Sequence, residues 1–332
     1  MDIKRILNVL NPQPAIGGLK ISDLHMRYVR VKGGGLATAF LKLAPGIIKE
    51  GKVKDREGFI NALKELHSQI SKKPKEKVSV IITLPDDNVY IQVFGLPQVA
   101  GSNLEEAAHL NLQMISPIDF NNAYSDWQLI GEKVVDGNQL EVLGAFIQKE
   151  IIDDFEYCLK KSGFVVVAIE CPAFSLSRLA IEEGANVENK DAYILLQIGT
   201  NGLGFNVIRR GNFCFNHFVP WQSVYGEKKE TSLADFKNII INEIQRVLKF
   251  YENHWGGQIN NLLFVSPRLN QEVSQIISGN FPMQVQIMAL KRFRELEPVW
   301  FSALGSALRG LIPRSKDTII SLASVGTEKE FY

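Results

Sequence analysis

The chain has 332 residues, 45% of them apolar and 22% charged, with 37 basic against 36 acidic side chains. That length exceeds one ordinary core and points to two domains or a deeply cleft pair. The charge balance leaves no net field to draw in nucleic acid, and Lys72, Lys73, Lys75 and Lys77 read as a solvated turn between a helix and a strand. Cys158, Cys171 and Cys214 show no C-x-x-C spacing, which indicates a reducing, cytoplasmic setting. No apolar run reaches the roughly 18 residues of a bilayer span. The amino-terminal stretch, broken by Asn8 and Asn11, fails as a secretion signal.

In chain order, residues 1–15 read as an arm in which Ile3, Ile6, Leu7 and Leu10 follow helical spacing. Strands near 16–22 and 26–32 meet at a polar turn, Gly33, Gly34 and Gly35 make the next one, and Leu36 to Leu43 returns. A helix starts at Asp55, whose carboxylate caps the first turn, and Phe59, Ile60, Leu63, Leu66 and Ile70 share one face. Val78 to Leu84 is a buried strand.

The second half repeats that order. Strands near 192–198, 204–209 and 213–219 precede a helix from Ser232, capped through Asp235, with an apolar stripe from Leu233 to Tyr251. Asn261 to Val265 is its buried strand. Elements in the two halves keep a near-constant offset, so the chain reads as a duplicated meander, helix and strand unit. Residues 89–167 break the duplication as a compact α+β insert holding a helix from Leu104 to Ile115, stopped by Pro117. The expected domains are 16–88 as the first part of domain I, 89–167 as the insert, 168–190 as the return to domain I, 191–310 as domain II with its terminal helix packing back on domain I, and 311–332 as a tail.

Several segments together resemble the PilM family of type IV pilus assembly proteins. They are Pro45 to Asp55, Ile115-Ser116-Pro117 with Tyr124 to Asp126, Leu143 to Glu150, Lys161 to Phe164, Ala168 to Phe174, and Glu243 to Tyr251. The resemblance implies an α/β fold of duplicated actin-like (RNase H-like) domains with an inserted α+β subdomain, as in the cell-division relative FtsA. It also implies a scaffold peripheral to the inner face of the cytoplasmic membrane. A groove beside the insert would capture the cytoplasmic tail of an inner-membrane, PilN-like protein; other pilus assembly components are further expected partners, and a homo-oligomer stays open. Nucleic acid is not expected, given the charge balance, nor is direct membrane insertion; FtsA itself is disfavoured, because Ile312 to Tyr332 reads as a tail rather than as its basic amphipathic carboxy-terminal helix.

The resemblance also places a nucleotide cleft at Lys20, Ser22 and Asp23, at Gln197, Gly199 and Thr200, and at Ser266 and Pro267. In the family fold, acids at the positions of Lys20 and Gln197 would hold hydrated Mg²⁺, and the turn at Ser266-Pro267 would be glycine-rich, to let a nucleobase approach bare backbone. Here a cation, an amide and a proline replace them. The expectation is a pseudo-ATPase with no catalytic residue, no metal and no resident cofactor, ATP and Mg²⁺ included. Lys20 can still meet a phosphate directly as a point charge, and Asp23 can serve as a displaced ligand, so weak nucleotide binding stays open. The rivals are an active ATPase or sugar kinase of the same fold, and a nucleotide-regulated filament protein.

Plainer readings cover the rest. The glycines at 33–35 and 199–204 are hairpin turns rather than phosphate loops, because neither lies between a strand and a helix with the required Lys-Ser/Thr. The five histidines show no metal spacing. Cys171 reads as a small buried thiol. Asp153, Asp154 and Glu156 read as complements to a helix dipole.

Overall fold

The computed structural model describes residues 15–97, 103–134, 138–225 and 233–324. The amino-terminal arm, the Ser232 cap and the last residues of the chain therefore lie outside the described residues. β1 (Gly17–Ile21), β2 (His25–Lys32) and β3 (Gly35–Lys42) form an antiparallel meander. Gly33 and Gly34 turn between the last two at φ 57° and 82°, a left-handed backbone that glycine adopts without strain. β4 (Ile48–Lys49) and β5 (Lys52–Val53) make a short hairpin. α1 (Arg56–Ile70) then starts where the Asp55 carboxylate accepts from Gly58 N at 2.9 Å. β6 (Val78–Thr83), buried at every position, lies parallel to β1.

The insert comprises β7 (Tyr90–Pro97), α2 (Asn103–Ile115), β8 (Ala123–Val134) and β9 (Asn138–Gln148). Its strands form an antiparallel sheet of order β7-β9-β8. α2 covers one face through Ala108 and Leu112, and Leu143, Ala145 and Ile147 on the other join the core of domain I. Here the sequence expectation needs correcting. α3 (Lys149–Lys161) and β10 (Phe164–Glu170) do not belong to the insert, because β10 pairs in parallel with β6 and completes the first sheet. α3 packs Ile151, Ile152, Phe155, Cys158 and Leu159 into the same core as Phe59 and Leu63 of α1. Burying each such side chain contributes about 2 kcal/mol. The insert thus ends near Gln148 rather than at 167.

α4 (Pro172–Glu183) leaves the first sheet, with Pro172 at the start of the helix, where a missing N–H costs nothing. Domain II repeats the plan with β11 (Ala192–Ile198), β12 (Gly202–Arg209) and β13 (Asn212–Pro220). α5 (Trp221–Tyr225), α6 (Leu233–Trp255), β14 (Asn261–Val265), α7 (Asn270–Ser278) and β15 (Gln284–Ile287) follow. The sheets run β3-β2-β1-β6-β10 and β13-β12-β11-β14-β15, the same order twice. Ile194 and Leu196 of β11 face α6 and α7, while Tyr193 and Leu195 face α4, so alternate positions are equally apolar.

α8 (Phe301–Arg309) is buried all round because it lies with α4 between the two sheets, touching β1, β2 and β6. Small residues permit this. A Cβ on Gly305 would stand 2.0 Å from Ser175 O, and one on Gly18 would stand 2.0 Å from Ala303 O.

The expected tail also needs correcting over its described part. Ile320 and Leu322 are buried in the domain I core, and Leu322 N donates to Ile169 O at 2.8 Å. Ile320 N and Ser321 N donate to Gln128 Oε1 and Asp126 Oδ2 of the insert at 3.2 and 2.7 Å. Residues 317–324 are a strap whose two apolar side chains anchor it. The acids expected at a helix start sit instead on the second turn of α3 and bond sideways: Asp153 to Tyr124 at 2.9 Å, Asp154 to Arg56, and Glu156 to Ser324.

Candidate functional site

The turns after β1 and β11 face each other across a cleft floored by α4 and α8. This brings Lys20, Gln197, Gly199, Thr200, Ser266 and Pro267 to one cavity of about 330 Å³, although they come from three separate stretches of chain. Ser22 lines its inner continuation with Lys20 and Asp86. Ser22, 3% exposed, is occupied by its own turn, with its Oγ donating to His25 O at 3.0 Å and accepting from His25 N at 3.2 Å. Asp23 is equally committed. Its carboxylate accepts from Glu50 N at 2.7 Å, Gly51 N at 3.1 Å and the Asn201 side-chain amide at 2.9 Å, so it is a brace between domains.

In domain II, Gly199 N donates to Gly202 O at 2.9 Å and Gly199 O accepts from Trp221 Nε1 at 2.9 Å, which fixes the second turn. Gln197, 7% exposed, keeps its carboxamide oxygen without a hydrogen-bond partner. On the remaining wall Ser266 Oγ donates to Arg268 O and accepts from Arg268 N at 3.2 Å, a side-chain-closed turn that places Pro267 against the cavity.

Electrostatics distinguish the two ends of the cleft. Lys20 falls to about 8, chiefly through burial and then through Arg27, with Asp86 pulling the other way. Asp86 is pushed up to about 6 by burial, against hydrogen bonds from the Cys171 thiol and Ala173 N–H. Asp87 rises to about 7 through burial and the neighbouring Asp23 and Asp86. Mg²⁺ takes hard oxygen ligands, keeping several waters and using one or two carboxylates beside the phosphates. The Asp23 carboxylate is committed to three N–H donors, and the strand ends offer an ammonium and an amide in place of carboxylates. This donor set does not fit hydrated Mg²⁺, and among the described residues no His, Cys, Asp and Glu cluster could hold a metal ion.

Sequence reasoning missed Arg27, which the strand register sets directly opposite Lys20. A turn at 22–24 already implies that pairing, so the signal was present. It also missed the floor, where Glu170, fully buried, receives Arg178 at 2.7 and 2.9 Å, Arg309 at 3.0 Å and Ser306 at 2.8 Å. Burial alone would raise Glu170, but the two guanidiniums hold it down at about 2. No local motif links residues that far apart in the chain.

A second feature lies beside the insert. β8 is the edge of its sheet, and its segment Asp126 to Leu129 lines a groove of about 830 Å³ with Leu104, Asn212 and the strap at Asp317 to Ile319. Side chains rather than a backbone ladder hold the strap there. Glu105, Asp126 and Asp317 line the groove and no Lys or Arg does.

Two sheets of one repeated order, facing across a cleft with two helices between them, define an actin-like ATPase fold. The sequence model of type IV pilus assembly protein PilM matches residues 20–220, and this chain belongs to that family. Among solved structures, a chain of a PilM–PilN type IV pilus biogenesis complex is similar at 20% identity and a TM-score of 0.70, over 91% of this chain and 100% of that one. More distant is the cytoplasmic domain of EpsL, an inner-membrane component of the type II secretion system of Vibrio cholerae. It shows 11% identity and a TM-score of 0.48, over 88% of this chain and 94% of that one. The ethanolamine utilization protein EutJ of Carboxydothermus hydrogenoformans shows 14% identity and a TM-score of 0.47, over 90% of both chains. No curated protein matches the sequence.

Proposed function

We propose that this chain is a non-catalytic scaffold of a type IV pilus, or of a related secretion or competence machine. It holds the cytoplasmic tail of an inner-membrane, PilN-like protein in the groove between β8 and the strap. The observation that carries this reading is the open edge of β8 beside that groove. An extended peptide can add there as a further strand, with backbone hydrogen bonds supplying affinity and Leu104 and Leu129 receiving alternate side chains. Family membership and the PilM–PilN complex among its structural neighbours support the choice of partner. No helix among the described residues is long and apolar enough to cross a membrane, and in this reading attachment to the inner face runs through that partner.

The cleft contributes no turnover, because Lys20 and Gln197 stand where a metal-directed hydrolase needs acids. Calorimetric titration with a synthetic peptide of the PilN-like tail encoded by the same organism tests the groove. Leu129→Asp, at an exposed position that spares the core, should weaken capture at least tenfold. Unchanged affinity in that variant would move the partner site elsewhere. Phosphate release from ATP with Mg²⁺ should stay at the buffer level, and turnover abolished by a cleft substitution would overturn the non-catalytic reading.

A further inference from the structure

We propose that one end of domain I docks electrostatically on an anionic lipid bilayer through Lys72, Lys73, Lys75, Lys77, Lys160 and Lys161, with no segment inserted. The first four occupy the turn between α1 and β6, which the sequence alone reads as solvated, and the other two close α3. The fold makes them neighbours. β6 and β10 pair from their first residues, with Phe164 opposite Val78, and Val78 N donates to Gly163 O at 3.0 Å, so the α1–β6 and α3–β10 turns lie side by side. All six lysines are exposed, and none forms an ion pair among the described residues.

The scaffold holds this crowding in place. His67, buried beneath the turn, donates from Nε2 to Glu76 O at 2.8 Å and meets Phe164 edge-on. Ser71 Oγ accepts from Lys73 N at 3.1 Å, and Glu76 N donates to Lys73 O at 3.0 Å. Four like charges are thereby fixed on one short closed turn, where they repel. Glu76 is the one acid on either turn, and its carboxylate is engaged by the Ser71 hydroxyl. On α3, Asp154 is taken by Arg56 and Glu156 by Ser324. Lysines in the last turn of a helix complement its dipole, which accounts for Lys160 and Lys161 but not for the four on the loop.

The whole chain carries a net charge of only +1, so an end with six lysines and one glutamate leaves the remainder net acidic. A molecule polarised in this way orients in the field of a charged surface. Among polyanions a bilayer fits best. Recognition of nucleic-acid phosphates favours the arginine fork, whereas these are all lysines, hydrated point charges on flexible stems that suit a fluid layer of headgroups. Clusters of about 4–8 basic residues bind acidic lipid in this way. Tyr157 adds a half-exposed ring at the same end, with Lys161 and Arg56 at 5.6 and 5.9 Å from its centroid. Such amphipathic rings settle at the level of the headgroups. The contact adds to any attachment through a partner and does not depend on the groove.

The test is co-sedimentation of the full chain, without partner peptide, with vesicles of equal parts phosphatidylcholine and phosphatidylglycerol, against vesicles of phosphatidylcholine alone. Binding to the acidic vesicles only is expected at about 0.1 M salt, and it should disappear near about 1 M, where the Debye length has shrunk from about 10 to about 3 Å. Each lysine should contribute about fivefold, so combining Lys72→Gln, Lys73→Gln, Lys75→Gln and Lys77→Gln should weaken binding by roughly a hundredfold or more. Lys160→Gln with Lys161→Gln should weaken it by about tenfold or more. Lys291→Gln with Arg294→Gln, an exposed basic pair of domain II, should leave it unchanged. All the substituted residues are exposed, so each variant should melt with the parent. No binding to acidic vesicles, equal binding to both kinds, or unchanged affinity in the two lysine variants would overturn the proposal. Preference for duplex DNA over acidic vesicles would overturn it as well, assigning this end of the molecule to a nucleic acid.

Discussion

Asp23 and Asn201 meet across the mouth of the cleft, the Asn201 side-chain amide donating to Asp23 Oδ1 at 2.9 Å although 178 positions separate them in the chain. The same carboxylate receives Glu50 N and Gly51 N, so one side chain joins the first hairpin, the β4–β5 turn and domain II. Asp23→Ala should cost about 1–3 kcal/mol through the unpaired donors it leaves. Amide hydrogen exchange should quicken at residues 50–51 and around 199–202. Protection equal to that of the parent at both turns would mean the brace contributes nothing.

Glu170→Gln should be among the more damaging single changes, costing about 3–5 kcal/mol, because it strands Arg178 and Arg309 in a buried site. Glu170 titrates near 2 in the fold against an ordinary 4.5, so its stabilisation is complete above 4.5 and drains away as pH falls toward 2. Denaturant unfolding between pH 2 and 7 should show this acid limb in the parent, and a flatter one in the variant.

Asp86 has the opposite sign. Its carboxyl titrates near 6 rather than 3.8, so the folded state loses stability as pH rises through that window. Asp86→Asn should stabilise the protein at pH 7.5 by up to about 3 kcal/mol, roughly two pKa units, a net shift in which the attraction to Lys20 is already counted. At pH 4 the gain should nearly vanish. Equal effects at both pH values would show that the carboxyl is not protonated as described.

Gly305→Ala should destabilise by about 1–3 kcal/mol or more, since the added methyl falls on the Ser175 carbonyl and neither helix can retreat from between two sheets. A melting temperature within a degree of the parent would show that α4 and α8 give way more easily than their packing implies.

Leu322→Ala should cost about 2–4 kcal/mol, the range for emptying a core site. Because it also loosens the strap that walls the groove, capture of a partner peptide should weaken in parallel. Loss of stability with full peptide affinity would separate the strap from the groove.

Much of the fold is legible in the sequence because it rests on local periodicity. The alternation in β2, the stripe on α1 and the run from Val78 to Thr83 each announce one element, and the repeated spacing announces the duplication. The end of the insert was not legible. Nothing in Phe164 to Glu170 says which sheet a buried strand will join, and only pairing with β6 decides it. The strap was hidden for a related reason: Ile320 and Leu322 are two apolar side chains in a polar stretch, too few to show a period. At the site, resemblance located the cleft residues. The roles of Asp23, Arg27 and Glu170 depend on partners supplied by distant segments or by the register of a hairpin.

The insert departs from domain I in the chain, yet Glu141 on its central strand is held from domain II. Trp255 Nε1 donates to Glu141 at 2.5 Å, and His254 and Arg209 close around the same carboxylate at 3.4 and 3.6 Å. Together with the crossing of α4 and α8 and the meeting of Asp23 with Asn201, this makes three separated pins. A frame pinned at three corners is triangulated: neither domain can shear past the other while all three hold. A pull applied at the insert is then shared by both domains at once.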